Sequence, residues 1–513
     1  MNSSFIAAPE RQRLVRTPLA LAVAATVLLS GCAIHPKPFS AAERESLAAT
    51  ERADLFNQQE PVQGPITLEE ALARAIRYNL DHRQRMMEEA LAQRQLDLSN
   101  FDLLPKLTAA AGYTGRNNEL ASRSVLLEDP TKTTVPPSYS SDKHMHTADL
   151  AFSWNLLDFG VSYYDAKEQA DRVLVLQQRR RKVVQLLMQQ VRESYWQVAG
   201  AQRIRDRIDP LLAQAKAALD DSTNAQKAEL ASPLDSLNYQ HEMLDIMRQL
   251  EAVRDQLDEA KPRLASLMNL DPGKDFTLAP PAAFDAPHFD MPMAQMETTA
   301  LERRPELLEA NYNERISVNE THKAMAKLLP GIELEVGAHY DSNSFLAYNK
   351  WRDAGLRVSW NLLNVLNIKN IRGAADAQHE VARTQRMALS MAVLTQVHVA
   401  RADLASKRRQ FDLLKQMNDV DQQIAEHTRN AANAKAVGKL NEIRAAAGAM
   451  MTELRLYESY GELESAYGQL LSTLGLDPVP EAVDAHDLAS LERAIAEEQR
   501  RWNALGQGAG TKS

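Results

Sequence analysis

A single cysteine, Cys32, in 513 residues excludes an internal disulfide, so nothing covalent ties distant parts of this chain together. Glycine is scarce at 19 residues and phenylalanine at 11, while Ala, Leu, Gln, Glu and Arg dominate; this is helix-rich composition. A net charge of −9 with both signs interspersed leaves no strong basic stripe, and nucleic acid is not an expected partner. Catalytic signatures are missing as well. The chain has no Walker loop, dinucleotide glycine pattern, HExxH, CxxC or nucleophile elbow, so no catalytic residue, metal ligand or cofactor is expected. A wall-degrading enzyme would need paired carboxylates in a groove.

The apolar run from Pro18 to Leu29 is too short to span a bilayer as a mature helix. Arg11, Arg13 and Arg16 precede it, so residues 1–31 read as a secretory signal. The run ends in Leu29-Ser30-Gly31-Cys32, which resembles the bacterial lipobox, and that resemblance implies a diacylglycerol on Cys32. Ala33 stands where an inner-membrane retention signal would place Asp, so by analogy the lipoprotein goes to the outer membrane. Residues 32–64 read as an extended, lipid-anchored tether, and residues 479–513 as a C-terminal tail.

What the chain has is duplication. Ser153-Trp154-Asn155-Leu156-Leu157 recurs 206 positions later as Ser359-Trp360-Asn361-Leu362-Leu363, and the alignment runs without a gap to Leu270-Asp271-Pro272 and Leu476-Asp477-Pro478. An offset of 225 pairs Leu103-Leu104-Pro105 with Leu328-Leu329-Pro330, and Asp81 with Glu306. Two copies of one unit follow, residues 65–283 and 284–478. Each reads helix, strand, loop, strand, long helix, tip, helix.

The four strand-like segments alternate at period two. Leu107, Ala109, Ala111 and Tyr113 share one face; Ala148, Leu150, Phe152 and Trp154 share another; Ile332, Leu334, Val336, Ala338 and Tyr340 form the third, and Ala354, Leu356, Val358 and Trp360 the fourth. The opposite faces are polar, charged or small. With alternate strands antiparallel, Tyr113 and Tyr340 lie at one end and Trp154 and Trp360 at the other. An outward apolar band between two aromatic girdles is the pattern of a transmembrane β-barrel. A soluble sandwich with one wet face would give the same alternation.

Thr67 and Glu70 form a capping box before a helix running to about residue 104. The long helix, Gly160 to Lys227, is about 68 residues, or roughly 100 Å. Its stripe of Val183, Leu187, Val191, Tyr195, Val198, Ala201, Ile204, Ile208, Leu211, Ala215 and Leu219 has coiled-coil spacing and reads as bundle core. A kink or break is expected at Pro210. Helices 67–104 and 233–270 are each about half the long one and would match it stacked end to end. The second copy repeats this with 298–329 and 440–475 beside 364–434. Four strands cannot close a barrel, and a strand edge cannot face lipid unpaired, so several protomers must share one.

In order and in duplicate, Thr67-Leu68-Glu69-Glu70-Ala71-Leu72, the two Leu-Leu-Pro and Ser-Trp-Asn-Leu-Leu segments, Ala231-Ser232-Pro233-Leu234-Asp235-Ser236-Leu237 and Arg304-Pro305-Glu306-Leu307 resemble the outer membrane efflux protein family, the TolC-like channels. The resemblance covers residues 66 to about 478. It implies a mainly α fold with a transmembrane β-barrel: a homotrimer with a shared 12-stranded barrel in outer membrane lipid, continuing into a periplasmic α-barrel of coiled-coil hairpins. It also implies partners, a periplasmic adaptor (membrane fusion protein) and an inner-membrane pump, and hence a channel for tripartite efflux or type I secretion.

In the family's tip pattern a Gly precedes Ser and an acid by three and six positions. Ser232 and Asp235 match, while Glu229 stands in for the Gly. In the second copy Asn441 takes the place of the acid, with Glu442 beside it. Asp235, Asn441 and Glu442 are thus the aperture candidates, and Leu230, Ser232 and Gly438 the adaptor-docking candidates, with Gly438 as a tip turn. Ser232-Pro233-Leu234-Asp235 also reads as an ordinary N-cap, N1 and capping acid. His144, His146 and His339 are read as solvated loop and pore residues. The rival reading is a periplasmic adaptor or structural coiled-coil lipoprotein, although adaptors usually carry one long hairpin where this chain carries two.

Overall fold

The computed structural model describes residues 36–57, 59–132, 136–229, 232–280, 284, 286, 287, 289–477 and 487–507. The signal segment, Cys32, Leu230 and Pro478 lie outside them. The chain divides into two compact units, up to Gln59 and from Glu60 onward. In the first, α1 (Ala41–Asp54) begins at a complete capping box: the Ser40 hydroxyl accepts from the Glu43 N–H, and the Glu43 carboxylate accepts from the Ser40 N–H. The expected extended tether therefore contains a helix.

The second unit holds both repeats. The first comprises α2 (Leu68–Tyr78), α3 (Leu80–Phe101), β1 (Lys106–Gly115), a two-residue ribbon of β2 (Ala121–Ser122) and β3 (Ser138–Tyr139), β4 (His144–Asn155), α4 (Leu156–Lys227) and α5 (Pro233–Leu267). The second comprises α6 (Met293–Arg303), α7 (Pro305–Ala326), β5 (Gly331–Asp341), β6 (Lys350–Ser359), a 3-10 turn (Leu362–Asn367), α8 (Ile368–Asn433) and α9 (Lys439–Thr473). A last helix, α10 (Leu488–Gln507), follows.

Two expected helices are split, at equivalent places. The helix expected over 67–104 turns extended at Asn79, with ψ 128°, and that over 298–329 at Arg304, with ψ 127°; these residues are 225 apart, the offset of the duplication. Each break has a local cause. Asn79 caps α3 by accepting from the His82 N–H at 3.1 Å, and Arg304 precedes Pro305, which biases it away from helical geometry. At the start of α2, Thr67 accepts from the Glu70 N–H, while the Glu70 carboxylate pairs with Arg74 at 2.8 Å. Only half of the expected capping box is made there.

The long helix α4 runs 72 residues, or about 108 Å, and continues through Pro210 without the expected break. It begins at Asn155, whose side chain accepts from the N–H groups of Leu157 and Asp158. Asn361 accepts likewise from Leu363, which gives the repeated Ser-Trp-Asn-Leu-Leu segment its physical sense: the Asn turns a strand into a helix.

Short helices stack along long ones as expected. Both α3 and α5 pack on α4, and both α7 and α9 pack on α4 and α8. At the joints the Asn79 amide donates to the Leu267 carbonyl at 3.2 Å, and Gly475 lies against the Arg303–Arg304 backbone so closely that a Cβ would collide with it. The last turns before these joints end in left-handed residues, Asn269 (φ 56°) and Gly475 (φ 70°), 206 apart. Each forms a Schellman end, with Leu270 N–H on the Ala265 carbonyl and Leu476 N–H on the Leu471 carbonyl.

The main core lies where these joints meet. Tyr195, Trp196, Leu264, Met268, Ala300, Leu463, Leu470 and Leu474 are buried there. Residues 488–507, expected as part of a tail, supply Leu488, Leu491, Ile495 and Trp502 to the same core through α10, which packs on α2. A second apolar cluster, including Ile204, Ile208, Met243, Leu250, Ile443 and Met450, joins α4, α5 and α9 towards the tips. Full burial of such aliphatic side chains stabilises by roughly 1.5–3 kcal/mol each.

The four long strands form one antiparallel sheet in the order β1-β4-β5-β6. Register sets Leu107 opposite Phe152, Phe152 opposite Val336 and Val336 opposite Ala354, so an apolar band runs across one face, and Arg352, opposite Ala338, and His146, opposite Tyr113, lie on that face towards its tyrosine end. Leu107, Leu356 and Val358 on it are more than 60% exposed, with nothing among the described residues to cover them. Tyr113 and Tyr340 sit at one end of that face and Trp154 and Trp360 at the other, as expected, and the Trp360 indole donates to the Leu328 carbonyl at 2.9 Å. His144 and His146 depart from expectation. They open β4 instead of lying in a loop or pore, and Tyr113 engages both, its hydroxyl 2.8 Å from His144 Nδ1 and its ring 5.1 Å from that of His146.

Candidate functional site

Both inter-helix tips turn through a left-handed residue, Glu229 (φ 56°) and Lys435 (φ 57°), again 206 apart. Such a conformation suits glycine, so Glu229 occupies the position where the resemblance wants Gly and adopts its backbone. Gly438 does something else. With φ −76° and ψ 158° it is the extended N-cap of α9, and Lys435 supplies the turn.

At the first tip Ser232 leads into Pro233, the first residue of α5. Its hydroxyl makes no capping hydrogen bond; its carbonyl accepts from the Ser236 N–H at 2.9 Å. The N-cap expected of the Ser232 side chain is thus absent, and only the ordinary first backbone bond of the helix is made there. Asp235 is exposed in the first turn and has no ion-pair partner among the described residues. Exposed Leu234 and Leu237 flank it.

The second tip is electrostatically different. Glu442 accepts from Lys439 Nζ at 2.9 Å and is 17% exposed at its side chain. The Asn441 side-chain oxygen accepts from Arg444 at 3.3 Å, and the Arg444 guanidinium also grips Glu242 of α5, linking the two tips. The Glu242 carboxylate pushes the Arg444 pKa up. Of the aperture candidates, therefore, Asp235 presents an open carboxylate and Glu442 a neutralised one.

The polar face of the sheet carries a constellation that sequence reasoning did not assemble. His339 of β5 stands opposite Asp149 of β4 and Trp351 of β6. Its Nδ1 is 2.6 Å from an Asp149 oxygen and its Nε2 3.2 Å from an Asp353 oxygen, and its ring stacks on Trp351 at 5.1 Å. A Cβ on Gly337 would collide with His339 Nε2 and Asp353 Oδ1. Glycine is what leaves the space. Period-two alternation could have put these residues on one face, but only the strand register makes them neighbours. Among the described residues no metal-binding cluster forms and no helix is long and apolar enough to cross a membrane.

A model of the outer membrane efflux protein family matches residues 71–270. A search of curated proteins finds no sequence match. Among solved structures, the outer-membrane channel OprN is similar at 17% identity and a TM-score of 0.61, covering 80% of this chain and 89% of that one. The Campylobacter jejuni CmeC outer membrane channel is similar at 13% identity and a TM-score of 0.64, covering 91% and 97%. The Neisseria gonorrhoeae MtrE outer membrane channel in its open state gives 14%, 0.60, 82% and 95%. Matched in sequence over residues 71–270 and in fold over most of its length, this chain resembles the outer membrane efflux proteins, the TolC-like channels.

Proposed function

We propose that this chain is the outer membrane channel of a tripartite efflux or type I secretion system. It works as a homotrimer that receives substrate from an inner-membrane pump through a periplasmic adaptor and releases it outside. The family match supports an outer membrane efflux channel. The observation that carries the reading further is the sheet's incompleteness: β1 and β6 are edges with no partner among the described residues, on either side of an exposed apolar face. Edges in lipid must be paired, so β6 of one copy pairs with β1 of the next. Two copies would give an eight-stranded barrel and three a twelve-stranded one, and the family resemblance selects three. The aromatic residues at both ends of the apolar face fit interfacial girdles.

Native mass spectrometry in detergent should find three chains, and a folded monomer retaining full strand content overturns the shared barrel. In planar bilayers the trimer should conduct. Asp235→Asn with Glu442→Gln should reduce cation selectivity and divalent block, since close carboxylates favour cations. Because Lys439 already neutralises Glu442, Asp235→Asn alone should give most of the loss. Unchanged selectivity would leave Asp235 as a helix-start residue only.

Exposed Leu234 and Leu237 beside Ser232, and the open space around Gly438, suit the adaptor-docking role proposed for the tips, Leu230 included. Lipidation at Cys32 would supplement the barrel's anchoring. Intact-mass analysis of the mature protein should show acylation of Cys32 and its loss in Cys32→Ser; an unmodified wild-type cysteine removes the anchor from this reading.

A further inference from the structure

We infer that the Asp149–His339–Asp353 group sets the ion preference of the barrel segment and makes that preference depend on protonation of His339. The inference rests on the channel reading, which makes the sheet's polar face the wall of the pore. The group joins three of the four strands: Asp149 on β4, His339 on β5 and Asp353 on β6. Both imidazole nitrogens face carboxylate oxygens. Only the imidazolium donates from both, so this arrangement is that of charged histidine, and a neutral ring would turn a lone pair towards one of the carboxylates.

Two features show that the ring is held in place. Trp351 stacks on it with an interplanar angle of 19°, and Gly337 opens the gap in which Nε2 meets Asp353. The other charged groups on this face are Glu335 and Asp341 on the histidine's own strand, the Glu333–Arg357 pair at 3.8 Å between β5 and β6, and Lys106 at the far end of β1. On β1 the residues facing Asp149 and its neighbours are Thr108, Ala110 and Gly112, which do not titrate. His339 is therefore the one group on this face with an ordinary pKa inside the range from pH 5.5 to 8.

The consequence is a change of pore charge. With His339 protonated the group carries one net negative charge, two carboxylates less one imidazolium; with His339 neutral it carries two. Around a closed oligomer every copy contributes, so the wall becomes more negative as pH rises and should favour cations more strongly. Screening by salt keeps the effect modest.

The test is the cation-to-anion permeability ratio, from reversal potentials in planar bilayers between pH 5.5 and 8. In the wild type the ratio should rise about threefold with pH, the size expected of one added charge per copy at pore distances. His339→Gln, and His339→Asn as a second variant, should hold the high ratio at every pH, and Asp353→Asn should lower it throughout. Native mass spectrometry confirms assembly of each variant. A wild-type ratio that does not move with pH, or one that moves equally in the His339 variants, overturns the inference while leaving the channel intact. An assembled protein that conducts nothing overturns the channel reading and the inference together.

Discussion

Arginine at Leu150 or Val336 is expected to cost assembly about 2–4 kcal/mol, the penalty for a cation near the bilayer midplane. Both residues lie on the apolar face, Leu150 opposite Ala109 and Ala338, and Val336 opposite Phe152 and Ala354. Arginine at Thr147 or Ser359, on the other face, should be tolerated. The readout is the fraction of heat-modifiable oligomer in the outer membrane fraction, supported by urea titration of refolded protein in lipid. Equal tolerance on both faces would mean that the apolar band does not meet lipid, and the soluble sandwich would return as the reading of the strands.

The strands and long helices were legible because their signals are local and were written twice. Period-two alternation placed Phe152 and Val336 on one face before any register was known. Constant offsets placed the tips, and the structure extends them to the left-handed pairs Glu229 with Lys435 and Asn269 with Gly475. Where the reading failed, a weaker local signal was overruled by a stronger pattern. Helical periodicity ran across Asn79 and Arg304, yet an Asn with a free N–H three residues on, and an X-Pro step, were both present in the sequence as breakers. At Pro210 the break is not made: the helix runs on through a residue that disfavours it, with Ile204, Ile208 and Leu211 packed in the apolar cluster on either side. The tail's Leu488, Leu491, Ile495 and Trp502 had helical spacing that went unread. The Asp149–His339–Asp353 group could not be found this way, because register alone brings its members together, Asp149 from 190 residues before His339 and Asp353 from 14 after it.

Replacing Trp196 by Ala is expected to destabilise the helical crossing by about 3–5 kcal/mol. Trp196 of α4 is 2% exposed and meets Tyr460 of α9 edge to face at 4.5 Å, with Tyr195 and Phe284 also in ring contact; Phe411 of α8 closes the cluster against Phe284 and Tyr460. Its indole N–H is buried without a hydrogen-bond partner among the described residues, so what Ala removes is packing, and Trp196→Phe should cost well under the Ala value. Close approach of the two helices depends on Gly461, where a Cβ would stand 2.7 Å from the Trp196 Cβ. Gly461→Ala should therefore cost about 1–3 kcal/mol by overpacking. The clash is with a Cβ, which Ala at position 196 keeps. Neighbouring sites ordinarily couple, but because the contact that limits the approach is to a Cβ, Gly461→Ala should cost nearly as much in the Trp196→Ala background as in the wild type. Hydrogen exchange of the α4 and α9 amides reads both terms as local opening free energies. If Trp196→Ala rescues Gly461→Ala, the indole and not the backbone spacing limits the approach, and α4 and α9 are held apart by side-chain bulk.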